Sequence, residues 1–114
     1  SKVYNIMNVY CKSIYLSYID GKLSVLKENE ELPTKKWLDD NIPHNQLKSY
    51  IDLDPKWCSL ELVDTETTKT NLDIIFVAIL PPDTKQKVGQ WEEISSDKLE
   101  VSHPVIYKAI QRLK

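Results

Sequence analysis

The stretch Leu72 to Leu80, Leu-Asp-Ile-Ile-Phe-Val-Ala-Ile-Leu, is the most apolar run in the chain and stops at Pro81-Pro82. It lacks the period-2 alternation of a half-exposed strand, so both of its faces must be covered. Its length and β-branched content favour a buried strand over a helix. The prolines remove backbone donors and fix φ, so the strand ends there. We read it as the central strand of a sheet, which then needs neighbouring strands and helices above and below.

The rest of the composition narrows what that sheet can serve. A chain of 114 residues reads as one domain over 1–114, large enough for a core without metal or disulfide support. Its opening at Ser-Lys, without Met, reads as a unit excised from a larger protein or processed. Charged residues at 28% and hydrophobic residues at 41% fit a globular domain rather than a disordered one. Only two glycines are present, so no glycine-rich phosphate loop can be written. The net charge of -2 gives no electrostatic footprint for nucleic acid, and Arg112 is the sole arginine, which leaves little bidentate capture of phosphate. Cys11 and Cys58 stand far apart and outside any CxxC pair; buried reduced thiols are expected rather than zinc ligands or a disulfide. No run approaches the roughly 20 apolar residues of a membrane span and no signal pattern opens the chain, so the expected compartment is cytoplasmic or nuclear, with no membrane contact.

Taken in order, residues 3–19 carry a long β pattern, with aromatics at Tyr4, Tyr10, Tyr15 and Tyr18. Asp20-Gly21 follows, a type I′ hairpin signal, because both turn positions need φ > 0. Leu23, Val25 and Leu26 return as a strand that ends in Glu28-Asn29-Glu30-Glu31. Pro43 suits the first turn of a helix of about ten residues, with Leu47, Tyr50 and Ile51 on one face, Lys48 and Asp52 on the other, and Pro55 as its limit. Trp57 to Val63 reads as a strand pairing antiparallel with the central one across the polar stretch 64–71. A short strand at Trp91 follows. Ser102 is a good N-cap, Pro104 suits a first turn, and Val105, Ile106, Ala109, Ile110 and Leu113 form one apolar stripe of a final helix. The order is β-β-α-β-β-β-α.

This order resembles a Nudix domain. The resemblance is carried by Tyr18-Ile-Asp-Gly-Lys-Leu-Ser-Val-Leu-Lys27, Leu32-Pro33, Leu62-Val-Asp-Thr65, Ile75-Phe-Val-Ala-Ile-Leu-Pro81, Gly89-Gln-Trp-Glu-Glu-Ile94 and His103 to Leu113. It implies an α+β fold, an α/β/α sandwich with a mixed sheet flanked by helices. Nudix hydrolases share a box, G-x5-E-x7-R-E-U-x-E-E-x-G-U, whose glutamates present divalent cations to a pyrophosphate. Between Pro33 and Pro55 this chain has no glycine, arginine or glutamate. With Ile51 in the hydrophobic place of R-E-U-x-E-E, Tyr50 replaces the first glutamate, Leu53 and Asp54 fall on the acidic pair, and Thr34 and Lys35 stand near the first glycine. One carboxylate of three is too few for a hard cation.

The reading that follows is a Nudix-like module without hydrolysis, with no catalytic residue, metal site or cofactor. Its function would be protein docking first and sensing of a nucleotide-derived ligand second. The residues assigned to ligand or partner binding are Trp37, Tyr50, Asp54 and Trp57, with Trp37 singled out as an aromatic in a polar, loop-like stretch. The alternative is a divergent metal-dependent hydrolase of nucleoside diphosphates linked to another moiety, using Asp52 and Asp54 as displaced metal ligands, joined by Glu61 or Glu66. Asp39-Asp40 read as surface charge, His44 as a polar first-turn residue and His103 as structural.

Overall fold

The structure, a computed structural model, describes residues 7–38 and 42–114. Tyr4, Asp39 and Asp40 therefore lie outside the described residues, as do the first residues of the long β pattern. The strands are β1 (Asn8–Ile19), β2 (Lys22–Lys27), β3 (Thr34–Lys36), β4 (Glu61–Thr67), β5 (Asn71–Ile79) and β6 (Gln90–Glu93). The helices are α1 (Ile42–Tyr50), α2 (Leu99–Ser102) and α3 (Pro104–Arg112), and Pro55–Trp57 is a single 3₁₀ turn. One mixed sheet runs β4-β5-β1-β2-β6, with β3 also paired to β1.

The apolar run is an inner strand, but the middle of the sheet belongs to β1. β5 pairs antiparallel with β4 on one side, as the sequence suggests, and parallel with β1 on the other. The parallel ladder runs from Asn8↔Asn71 to Leu16↔Ile79, joining positions more than sixty residues apart. β1 takes the centre because it carries buried side chains on both faces: Ile14 and Leu16 on one, Cys11, Ser13 and Tyr15 on the other.

Helices cover the two faces. Ile106 and Ala109 of α3 and Leu99 of α2 pack on Ile14, Leu16, Val25, Ile75 and Val77. Leu47 of α1 and the following Ile51 pack on Tyr15, Leu26, Ala78 and Leu80. The architecture is the expected α/β/α sandwich.

Two tight turns shape the β1 edge. Asp20 and Gly21 have φ of 51° and 75°, the type I′ geometry that Asp-Gly predicts. A second turn has the same sign: Asn29 and Glu30 have φ of 52° and 64°, and Glu28 and Glu31 exchange both backbone hydrogen bonds at 2.8 and 3.0 Å. Beyond it the chain rejoins β1 through the Ser13 amide, which donates to the Pro33 carbonyl at 2.9 Å, and then through β3. β2 and β3 thus pair with the same edge of β1, separated by the six residues 28–33 that contain this turn.

Three local expectations are corrected. Trp57 is not in a strand: its amide donates to the Asp54 carbonyl at 3.0 Å, which closes the 3₁₀ turn, and β4 starts only at Glu61. Ser102 does not cap α3, because it ends α2 and its hydroxyl donates back to the Lys98 carbonyl at 2.9 Å; His103 stands at the N-cap without a side-chain bond. β5 is covered unevenly, since Ile79 is exposed while Ile75, Val77 and Ala78 are buried.

Candidate functional site

The four assigned residues fall in three settings. Trp37 follows β3; its amide donates to the Val9 carbonyl at 2.7 Å and its ring lies 6.0 Å from that of Phe76. It is half-buried, so the indole is partly spent on packing.

Tyr50 ends α1. Its hydroxyl donates to Glu28 Oε1 at 2.6 Å, and its ring centroid is 6.2 Å from that of Tyr15. Burial, and then the Glu28 carboxylate beside it, push the Tyr50 phenol up to about 12. Tyr15 below is fully buried; its hydroxyl has no hydrogen-bond partner among the described residues, and burial pushes its phenol up as well. Both tyrosines are held neutral by the fold, so their contribution is fully present below the ordinary phenol pKa near 10 and is lost as pH rises through the folded values. Stability is therefore expected to fall as pH rises from 10 toward 12, more gently in a Tyr50→Phe chain, as urea midpoints across that range would show.

Asp54 and Trp57 belong to the 3₁₀ turn. Asp54 is exposed; the Lys56 amide at 3.1 Å and then the Lys56 ammonium at 3.5 Å hold its carboxyl below the usual value. Trp57 is 71% exposed, with the Lys56 ammonium 5.8 Å from its ring. Trp57, read as a strand residue, is the more exposed of the two indoles, and Trp37 is half-buried. On β4, opposite Phe76, Leu62 is 47% exposed.

Two polar groups whose hydrogen bonds organise this region escaped the sequence. Glu28 read as the acidic end of a strand, yet it is Tyr50's partner. Gln46 drew no notice as a polar helix residue, yet it is fully buried; its Nε2 donates to the Cys11 carbonyl at 3.1 Å, and its Oε1 accepts from Cys11 Sγ at 3.3 Å and from the Ser13 hydroxyl. Burial raises the Cys11 thiol to about 11 and keeps it a neutral donor. Its signal was position alone, next to Leu47 and one turn before Tyr50.

A cleft of about 730 Å³ opens between the 28–31 turn and the approach to β6, lined by Lys27, Glu28, Glu30, Trp91 and Glu92 among others. Lys27 is paired with Glu92 at 3.5 Å, and the Trp91 indole donates to the Thr84 carbonyl at 3.0 Å.

No protein-family model matches the sequence, and no curated protein matches it significantly. Solved structures do. The NUDIX domain of Shewanella oneidensis NrtR, determined with ADP ribose, is similar over 97% of this chain and 91% of that one, at a TM-score of 0.64 and 14% identity. A C. elegans Ap4A hydrolase in a binary complex is similar over 94% and 98%, at a TM-score of 0.61 and 11% identity. The chain has a Nudix-like fold.

The cations of the Nudix box need several carboxylate oxygens in one place. The residues here do not fit such a group. The Tyr50 hydroxyl is engaged with Glu28, Leu53 packs against the apolar cluster under α1, and Asp54 lies beyond the end of α1 with its carboxylate on Lys56. Among the described residues no three His, Cys, Asp or Glu side chains gather as metal ligands, and no helix is long and apolar enough to cross a membrane.

Proposed function

We propose that this chain is a non-hydrolysing Nudix-fold module that docks a protein partner. The observation behind it is the occupation of the three aligned box positions: a phenol held by a neighbouring carboxylate, a half-buried leucine packed against the core and an exposed aspartate, the last two past the end of α1. Docking is favoured by Trp57, whose indole is the kind of anchor that dominates interfaces when it is desolvated.

Binding of a nucleotide-derived ligand is the second reading. The NrtR domain was determined with ADP ribose, and the cleft beside the 28–31 turn has room for a ligand. Its charge argues the other way. Glu28, Glu30 and Glu92 face a single ammonium, Lys27, which Glu92 already holds, so a pyrophosphate would meet carboxylates.

The test is a panel of ADP-ribose and dinucleoside polyphosphates with millimolar Mg²⁺ or Mn²⁺. No phosphate release and no calorimetric heat with ADP-ribose is the expected result; turnover would instead favour the hydrolase reading with Asp52, Asp54, Glu61 or Glu66 as ligands. A Trp57→Ala chain is expected to keep its stability within about 0.5 kcal/mol, as surface changes do. It should lose more than about 1 kcal/mol of affinity for the partner recovered with the wild-type chain. Melting curves and competition binding read the two quantities separately.

A further inference from the structure

We infer that the Tyr50–Glu28 hydrogen bond takes over the structural work that a cation held by two carboxylates would do at this corner: it ties the 28–31 turn to the end of α1. The inference deepens the non-hydrolysing reading and rests on the same placement of Tyr50.

The tie bears on a turn with one costly residue. Asn29 and Glu30 are both in the left-handed region, at φ of 52° and 64°; asparagine takes that conformation readily, but glutamate takes it at a cost. Two backbone hydrogen bonds between Glu28 and Glu31 close the turn on itself, and Tyr50 anchors it to α1. The turn also interrupts the edge of β1, so between Lys27 and Pro33 the sheet ladder does not hold the chain in place. Tyr50 reaches Glu28 across 22 positions of sequence at 2.6 Å, a charge-assisted length. Its ring is steadied against Tyr15, so the donor arrives on a fixed platform.

A phenol and a carboxylate make this contact without any counter-ion. Two carboxylates at the same distance cannot both ionise unless a proton or a cation lies between them. Tyr50→Glu should therefore convert a cation-independent corner into a cation-dependent one.

The experiment compares wild type, Tyr50→Phe and Tyr50→Glu at pH 7.5 in EDTA and in 5 mM Mn²⁺, by thermal melting and amide hydrogen exchange. Wild type and Tyr50→Phe are expected to melt at the same temperature with and without metal. Tyr50→Phe should melt about 4–8 °C lower than wild type, the shift of one lost hydrogen bond in a domain of this size. Its Glu28 and Glu31 amides, the pair hydrogen-bonded across the turn, should exchange about tenfold faster. Tyr50→Glu should melt at least as low in EDTA and recover most of the loss in Mn²⁺.

Metal stabilisation of the wild-type chain would overturn the inference, and so would a folded Tyr50→Glu chain indifferent to Mn²⁺. If Tyr50→Glu does not fold, the exchange rates of Tyr50→Phe decide: wild-type rates in the turn refute the tie, faster rates support it. Turnover by the wild-type chain is the separate measurement that would sink the non-hydrolysing reading.

Discussion

A Gly89→Ala chain is expected to lose about 3–5 kcal/mol of stability, a large share of what a domain of this size has. Gly89 sits at φ 84°, where any other residue is strained, and an added Cβ would stand 2.5 Å from the Lys27 carbonyl oxygen and 3.3 Å from its carbon. That neighbour is backbone and cannot swing away. Lys27 is also the ladder partner of Gln90, so relief requires β6 to move off β2. Moving β6 would lift Trp91 from Leu26 and break the indole's bond to the Thr84 carbonyl. Gly21 separates the two causes. At φ 75° it is equally left-handed, but nothing lies within 4 Å of its added Cβ, so Gly21→Ala should lose only about 1–2 kcal/mol. Urea unfolding of both variants checks this; equal losses would mean that the approach to Lys27 contributes nothing.

Replacing Gln46 by alanine should cost about 3–5 kcal/mol, since it combines a core cavity with stranded polar groups. The Cys11 carbonyl would lose its side-chain donor, and the Ser13 hydroxyl and Cys11 thiol would lose the oxygen they share, all in a region closed to water. Gln46→Met keeps most of the volume and isolates the polar part, for which about 2–3 kcal/mol is expected. Ser13→Ala in the Met background should then cost less than Ser13→Ala alone, because its partner has already gone. Coupling of at least about 0.5 kcal/mol in that cycle is the sign of a working network, and strict additivity would refute it.

What could be read in the sequence divides along local and non-local lines. Asp20-Gly21 and Pro81-Pro82 act through their own backbone preferences, and both features stand where expected. The stripe from Val105 to Leu113 needed only a helical period, and it packs as expected through Ile110, while Leu113 lies past the end of α3 and is exposed. Strand order was harder, because the apolarity of Leu72 to Leu80 shows that a strand is buried but not which strand lies at the centre. β1 hid its rank by mixing serines and lysine among its apolar residues, and those serines are buried at no cost visible in the sequence because Gln46 and the Pro81 carbonyl receive them. Trp57 was misread because Trp-Cys-Ser-Leu-Glu-Leu alternates well enough for a strand, while Asp54 captures the Lys56 amide and winds the chain into a turn first. At the candidate site Tyr50 was legible as a missing glutamate, whereas Glu28, 22 positions away, became its partner only through the sheet.

The parallel ladder between β1 and β5 also sets a schedule for synthesis. β2 and β3 can pair with β1 as soon as each emerges, since the connections are short, but the other edge of β1 has no partner until residues 71–79 are made. Until then Ile14, Tyr15 and Leu16 belong to a sheet without its second half, and closing so long a loop is slow compared with forming a hairpin. A ribosome paused before β5 would hold a chain with one open strand edge and one bare apolar face. In that interval this protein would be most exposed to pairing with another chain.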